Sequence, residues 1–356
     1  MESNNLFFRL CDPLQKHIYE ADLISNQEEL FGQLVLNKMV GIAFKKLEYR
    51  ALNPELRKTL ILLNDNYLNR SALYKKQLKY LVNNILANAE FDYSLLKGSF
   101  LSTNLYKSGQ RVSNDFDILI SPESISRLQK LLIDNGFVQG GVNSSNEIVP
   151  ATRREILESR LNFGQTVPFV KIIENSPLII DINFSLDFKA SANNIVGEFL
   201  NDIVIATFEN VRFKTLSPIK FLLHLACHLY KESTTYYWVA RRRDLMLYKF
   251  CDIYMFINKF GTIEYFSDLI EQIKKYNFEK ECYYTFENSS IIYPALNKID
   301  GFLKVKESIK PENLDFMKQI VYPREKKLFK YDMSFTDWFF CPDRVSQLEE
   351  IPYEEY

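Results

Sequence analysis

The scarcity of glycine and proline constrains the fold of this chain more than any other single feature. The 356 residues include only 11 Gly and 12 Pro, about half of the ~12% that these two residues average together in globular proteins. Such a chain has little room for the many short turns of a β-sandwich or a propeller, so the composition favours long helices. Because domains average roughly 150 residues, the length predicts two or three packed parts.

The pattern of apolar residues divides the chain into a mixed middle part and two helical flanks. Residues 27–50 and the stretch after Pro54 carry apolar side chains at helical spacing, and so does the chain after Pro218. Short β-type runs lie between them. We therefore predict an α+β, helix-rich fold with a helical region over 1–90, a small mixed-sheet core over 91–190 and a helical domain over 191–356.

Local signals fill in the predicted core. The pair Ser121-Pro122 is typical of a helix start, and Gly136 of the end of that helix. Two β-type runs, 167–173 and 178–184, are separated by a predicted hairpin turn. Residues 137–166 are polar and rich in Gly, Asn and Ser, which predicts a long loop with one helical turn.

The C-terminal third is expected to be helical. Apolar spacing predicts helices over 219–231, 240–258, 263–276 and 310–320. The tail from Asp337 combines aromatic and acidic residues. Two alternatives stay open for this tail: its aromatic side chains dock on the protein, or it is partly disordered.

Carboxylates at alternating positions of two predicted strands are the main chemical signal. Side chains alternate between the two faces of a strand, so Asp115 and Asp117 share one face of their run, and Asp181 and Asn183 repeat the arrangement. Three converging carboxylates repel one another unless cations lie between them. Mg²⁺ suits this position because it takes oxygen ligands and is often shared with substrate phosphates. The alternative is a solvated strand edge.

A glycine turn and two basic residues accompany these acids. Gly98 and Ser99 stand where a strand meets a short helix, a place where backbone and hydroxyl donors suit a phosphate. Arg111 is suited to neutralise a triphosphate through its fork of donors, and Lys97 as a point charge. The structural alternatives are an ordinary strand-to-helix turn for Gly98-Ser99 and a surface charge for Arg111.

Charge, cysteine content and hydropathy limit the partners and the compartment. The 44 basic and 45 acidic side chains nearly cancel, whereas proteins that bind nucleic-acid backbones usually carry a basic excess, so nucleic acid is an unlikely partner. Five scattered cysteines favour a reducing compartment. The chain shows neither a signal-peptide pattern nor an apolar run of about 20 residues. We therefore expect a cytoplasmic protein that does not enter a membrane.

The segment Leu95–Ile120 is the most family-specific part of the sequence. It reads LLKGSFLSTNLYKSGQRVSNDFDILI and resembles the nucleotide-binding signature of the polymerase-β-type nucleotidyltransferase superfamily, in particular its bacterial "uncharacterised nucleotidyltransferase" branch. In that branch the later strand tends to read Asp-hydrophobic-His, whereas this chain has Asn183 at the last position. The segment Thr215–Leu229 resembles the branch's Leu-Ser-Pro helix through His224 and His228. The resemblance covers about residues 50–260.

The resemblance implies transfer of a nucleoside monophosphate from an NTP, with ATP as the default, to an unidentified acceptor with release of pyrophosphate. It implies that Asp115 and Asp117 hold two Mg²⁺ ions, with Mn²⁺ as a substitute. Asp181 would then help to hold the acceptor-side metal or act as general base. Gly98 and Ser99 would cradle the outer phosphates. The acceptor is a small molecule, a peptide or a protein. The choice among these is left open, as are the nucleobase and the oligomeric state.

Two segments of the C-terminal third have competing interpretations. His224, Cys227 and His228 share one helix face, for which we favour ordinary packing over a metal site, while His228 is also a candidate nucleotide-binding residue. Arg242, in a run of three arginines, is a candidate phosphate-binding residue or part of a solvated helix start.

Two other functions compete with catalysis. The main alternative is a catalytically silent nucleotide-binding or toxin–antitoxin-type regulatory protein of the same fold. An RNA-directed polymerase or terminal transferase is disfavoured by the neutral charge.

Overall fold

The computed structural model describes residues 2–17, 26–48, 52–186 and 195–353. Its α-helices are α1 (Glu2–Leu10), α2 (Gln27–Leu36), α3 (Val40–Ala43), α4 (Pro54–Tyr80), α5 (Gly98–Asn104), α6 (Ile125–Asp134), α7 (Arg153–Phe163), α8 (Ile195–Leu200), α9 (Pro218–Ser233), α10 (Tyr236–Val239), α11 (Leu247–Phe260), α12 (Ile263–Tyr276), α13 (Glu279–Ile292), α14 (Phe302–Ser308) and α15 (Phe335–Phe340). Its strands are β1 (Tyr93–Leu95), β2 (Phe116–Ile120), β3 (Val138–Val142), β4 (Ile148–Pro150), β5 (Phe169–Ile173), β6 (Ser176–Asn183), β7 (Ile203–Phe208), β8 (Val211–Leu216), β9 (Gln319–Tyr322), β10 (Lys327–Lys330) and β11 (Glu349–Ile351). The α+β, helix-rich class is confirmed.

The chain forms two compact units. The central unit is Tyr67–Phe221, and the terminal unit combines Met1–Asn66 with Leu222–Tyr356. Among the helices within the described ranges, none is both long enough and apolar enough to cross a membrane.

A six-stranded mixed sheet forms the frame of the central unit. Its strand order is β1-β2-β6-β5-β3-β4, with β2 and β6 parallel and the other neighbours antiparallel. A mixed sheet of this kind is what the alternation of short β-type runs and helices predicts.

The core of the central unit extends beyond the predicted bounds of 91 and 190. Side chains from the second half of α4, including Tyr74 and Leu78, are buried with the sheet, as are Val211 and Phe213 of β8. The central unit therefore begins within α4 and ends after the β7–β8 hairpin. These flanking segments supply the apolar cover for one face of the sheet.

The predicted hairpin between the two later strands is present as β5–β6. Ile173 pairs with Ser176 across the turn, and Glu174 and Asn175 have φ of 49° and 61°. Positive φ at both central residues is typical of a type I′ turn, whose twist matches that of the strands.

The prediction of a long loop over 137–166 was wrong. The structure has the β3–β4 hairpin there, followed by the helix α7. Gly140 pairs with Pro150, and a Cβ at Gly140 would lie 2.1 Å from the Val149 carbonyl oxygen. The glycine therefore permits a close strand contact, and α7 begins with a capping box between Thr152 and Glu155.

Parts of the region over 191–356, which we predict to be helical, differ from that expectation. Residues 203–216 form the β7–β8 hairpin, and the helix predicted over 240–258 begins at Leu247, after a turn that contains Arg242 at φ 52°. Residues 310–320 contain a 3₁₀ turn and the start of β9 instead of a helix. The region is therefore not purely helical.

The C-terminal tail is docked by its aromatic side chains. Trp338 is fully buried and stacks on Tyr331 with ring centroids 4.0 Å apart. The rings of Phe339 and Phe340 each lie 5.3 Å from the ring of Phe8 in α1. The tail is thus part of the terminal unit, where it joins the two ends of the chain.

Candidate functional site

Two parallel strands bring the acidic residues of the central unit together. In the register of β2 and β6, Asp117 lies directly opposite Asp181. Asp115 lies one residue before β2, which begins at Phe116, whereas the predicted run included it. The alternate residues Phe116 and Ile118 are buried in the core, so the alternation along β2 directs Asp117 to the opposite face of the sheet.

Asp181 carries an uncompensated buried oxygen. Its Oδ1 is inaccessible to solvent and has no hydrogen-bond partner within the described part of the chain. Burial, reinforced by the charges of Asp117 and Asp115, raises the pKa of the Asp181 carboxyl to about 8, and the ammonium group of Lys97 opposes this rise. The site therefore favours either a proton on Asp181 or a cation beside it.

Asp117 has two side-chain donors on one oxygen. Lys97 Nζ lies 2.7 Å from Asp117 Oδ1 in a largely buried ion pair, and Asn183 Nδ2 donates to the same oxygen at 3.2 Å. The Asn183 departure from the Asp-hydrophobic-His pattern therefore gives a side chain that contacts a candidate catalytic carboxylate.

The donor set has the chemistry of a magnesium site, although the site is not fully assembled. Among the residues for which the structure gives coordinates, no three His, Cys, Asp or Glu side chains form a group that could hold a metal ion. The unsatisfied Asp181 oxygen is nevertheless of the hard type that Mg²⁺ binds, and it lies next to two further carboxylates. Asp115, Asp117 and Asp181 thus fit a divalent ion by ligand type, and they would have to reorient to share one.

The turn before α5 has an uncommon backbone conformation. Ser99 N donates to the Leu96 carbonyl oxygen at 3.2 Å, which closes a four-residue turn, and Lys97 has φ 41° and ψ −114°. These angles correspond to the second residue of a type II′ turn, a position that normally takes glycine. A non-glycine residue with such angles often marks a functional position.

Gly98 is required by its neighbours in the central unit. A Cβ at this position would lie 2.3 Å from Ser113 Oγ and 2.9 Å from the Tyr74 hydroxyl oxygen. Ser99 is fully buried, and its hydroxyl lies 3.4 Å from that of Tyr74. In the described structure these contacts account for a glycine at this position.

Arg111 contacts Ser113, the serine that lies against Gly98. Its guanidinium donates to the Val112 carbonyl oxygen at 2.8 Å and to Ser113 Oγ at 3.1 Å, and it is partly exposed. Ser113 Oγ also lies 3.2 Å from Ser102 Oγ. Ser113 therefore joins the predicted glycine and the predicted arginine.

Sequence reasoning missed Ser113 and Tyr74. The Tyr74 hydroxyl donates to the Asp115 carbonyl oxygen at 3.2 Å, and its ring stacks on Phe116 with centroids 4.4 Å apart. Tyr74 lies inside a helical repeat, where it reads as one more apolar core position. No local signal distinguishes it.

The remaining two candidates, His228 and Arg242, belong to the terminal unit. The His228 ring stacks on that of His224 with centroids 6.1 Å apart, and its Nε2 lies 3.3 Å from Glu232 Oε2. Arg242 lies in the turn before α11.

Comparison with known proteins places the site within a family. A family model described as "Uncharacterised nucleotidyltransferase" matches residues 25–294, which includes every candidate residue named above. The comparison with curated proteins gives no match.

Proposed function

The chain belongs to the uncharacterised nucleotidyltransferase family, and from this premise we propose that it transfers a nucleoside monophosphate from an NTP to an acceptor with release of pyrophosphate. The family description supports a general nucleotidyltransferase role. We extend it to a metal-dependent reaction with ATP as the first nucleotide to test.

One observation carries this proposal. Asp117 and Asp181 face each other on parallel strands, and a buried oxygen of Asp181 has no partner among the described residues. Burying a carboxylate beside other carboxylates is costly unless a cation or a proton compensates it. A divalent ion that also binds triphosphate oxygens would supply both the compensation and the chemistry.

The residues would divide the reaction between them. Asp115, Asp117 and Asp181 would hold Mg²⁺, which when bound stabilises the charge that develops on the attacking and leaving oxygens. Asp181 would either help to hold the acceptor-side ion or take the proton of the acceptor as general base. Arg111 and Lys97 would bind phosphate oxygens. His228 and Arg242 are kept as proposed nucleotide-binding residues on the strength of the sequence.

The test is nucleotide turnover by the purified protein. The wild-type protein is incubated with each labelled NTP and Mg²⁺, with cytosolic extract as a source of acceptor, and pyrophosphate and labelled product are measured. We expect Asp117→Asn to lose at least about 100-fold in rate because it removes transition-state charge stabilisation. Asp134→Asn is the control, because Asp134 lies at the end of α6, where it is exposed and pairs only locally with Lys130. Absence of binding and turnover with every NTP would refute the proposal.

A silent nucleotide-binding protein is the second candidate. The observation in its favour is that Lys97 already pairs with Asp117 and that no three-ligand metal group is assembled within the described residues. Calorimetry separates the two candidates. Tight NTP binding without product, in the presence of extract and either Mg²⁺ or Mn²⁺, would favour the silent protein.

We further propose a cytoplasmic protein whose partners are an NTP and an acceptor other than nucleic acid. The balance of 44 basic and 45 acidic residues supports this choice of partner. Retention on heparin that collapses with added salt would argue against it.

A further inference from the structure

We propose that Lys97 acts as a built-in counter-ion of Asp117 that divalent metal displaces, so that metal binding releases the ammonium group to bind the phosphates of the NTP. The inference rests on the proposed function, since it concerns the same site. It adds an order of events. The metal and Lys97 compete for one carboxylate oxygen, and the phosphates of the nucleotide then bind the released ammonium group.

Competition follows from the geometry at Asp117. Lys97 Nζ lies 2.7 Å from Asp117 Oδ1, and Asn183 Nδ2 donates to the same oxygen at 3.2 Å. A carboxylate oxygen offers about two lone-pair directions. An ion that ligates Oδ1 must therefore displace at least one of these donors. Because Lys97 is positively charged, a metal cation repels it, so Lys97 is the donor that is displaced.

The ion pair is held in place rather than formed by chance on the surface. The Lys97 and Asp117 side chains keep 18% and 8% of their exposure, so screening by water is weak. Lys97 also adopts φ 41° and ψ −114°, a conformation that is unfavourable for a residue with a Cβ. A glycine would satisfy the same turn without this cost, and what the lysine adds is its charge.

The released ammonium group has a suitable position for phosphate. Lys97 directly precedes α5, and an Mg²⁺ ion held by these carboxylates would be of the kind that is commonly shared with substrate phosphates. Once Asp117 ligates the metal, the ammonium group of Lys97 exchanges one anionic oxygen for another. Lys97 should therefore weaken the binding of metal alone and strengthen the binding of metal together with nucleotide.

The first test measures binding by calorimetry with Lys97→Met. We expect Mg²⁺ alone to bind about tenfold tighter to the variant than to the wild type, because the competing cation is gone, and the Mg²⁺ complex of a non-hydrolysable ATP analogue to bind about tenfold weaker. Lys76→Met is the matched control, since Lys76 is an exposed lysine of the same unit that pairs with Glu174, and it should change neither affinity.

The second test uses the wild-type protein, so that it does not depend on the folding of a variant. Lysine acylation followed by mass spectrometry reports the reactivity of the Lys97 amine. We expect Mg²⁺ alone to increase labelling of Lys97 several-fold and Mg²⁺ with the ATP analogue to reduce it again.

The outcomes separate this inference from the proposed function. The exchange is refuted, and the proposed function stands, if the wild type binds Mg²⁺ and the analogue but Lys97→Met has an unchanged or weaker affinity for Mg²⁺. The same conclusion follows if Mg²⁺ does not change the labelling of Lys97. If the wild type binds neither Mg²⁺ nor any nucleotide, both are refuted.

Discussion

At the scale of single residues, the central unit is organised around how its buried carboxylates are compensated. Lys97 and Asn183 donate hydrogen bonds to Asp117, whereas Asp181 has one buried oxygen without a hydrogen-bond partner in the described chain. Asp117 and Asp181 therefore differ in their hydrogen bonding because their neighbouring side chains differ. Their chemical roles should differ in the same way.

Asp181 gives a prediction for the pH dependence of stability in the metal-free protein. Its pKa is about 8 in the folded state against an ordinary value of 3.8. As the pH rises from about 4 to about 8, the unfolded chain releases the proton and the folded chain retains it, so this carboxyl progressively lowers the free energy of unfolding. Asp181→Asn removes this penalty. In EDTA, the melting temperature of the variant minus that of the wild type should increase from pH 5 to pH 8.

Two controls accompany this comparison. Asp134→Asn, at an exposed position, should give a difference that does not grow with pH. Added Mg²⁺ should raise the melting temperature of the wild type more at pH 8 than at pH 6. A difference between Asp181→Asn and wild type that is flat across this pH range would contradict the assignment.

At the scale of elements, the decisive feature is the connection from β1 to α5. The turn places Lys97 in a conformation suited to glycine and Gly98 against Ser113. Ser113 is itself held by Ser102 and Arg111. The start of α5 is therefore fixed to the segment that leads into β2, so the lysine and the acidic residues keep a defined spacing.

Gly98→Ala tests this connection. The new Cβ would meet Ser113 Oγ at 2.3 Å and Ser113 Cβ at 2.6 Å, and Ser113 is held too firmly to move away freely. We expect a loss of about 1–3 kcal/mol in the free energy of unfolding, as for overpacked cores. Denaturant titration measures it.

The double variant Gly98→Ala/Ser113→Gly should recover part of that loss, although the Tyr74 hydroxyl oxygen stays 2.9 Å from the new Cβ. Gly141→Ala serves as the control because nothing lies within 4 Å of its added Cβ. Equal changes in the free energy of unfolding for Gly98→Ala and Gly141→Ala would show that the contact with Ser113 does not set the cost.

At the scale of the whole molecule, the terminal unit is assembled from both ends of the chain. Aromatic side chains of α1 and α15 are in contact, and a buried ion pair joins Arg344 to Asp244 at 2.5 Å. Arg344 also donates to the carbonyl oxygens of Trp338 and Phe339. One side chain thus fixes the tail to the turn before α11.

Arg344→Met should destabilise the terminal unit strongly. The variant leaves the fully buried carboxylate of Asp244 without its cation, and breaking a buried pair in this way costs about 3–5 kcal/mol. Adding Asp244→Asn should recover part of the loss. Calorimetric unfolding measures both, with Arg154→Met as control because its ion pair with Glu158 is exposed on α7. A cost for Arg344→Met no larger than that of the control would contradict the role of the tail.

The errors of sequence reasoning have a common cause. The composition of residues 137–166 predicts a loop, but Gly140 is the residue that lets β3 approach the Val149 carbonyl oxygen of β4. Arg242 was placed at a helix start, but it turns the chain at φ 52°. In both cases composition over a window was informative about polarity, while the structure depended on one contact or one dihedral angle.

Features that depend on neighbours along the chain follow from the sequence alone. The period of two placed Asp117 on the face opposite Phe116, the turn residues predicted β5–β6, and the segment Leu95–Ile120 indicated the family. Tertiary structure alone decided which partners those residues meet. These contacts join residues separated by up to 100 positions along the chain. They are Lys97 and Asn183 with Asp117, Ser113 with Gly98, and Arg344 with Asp244. Periodicity and propensity act over a few residues, so only the folded chain, in which distant segments compete for the same space and charge, selects such contacts.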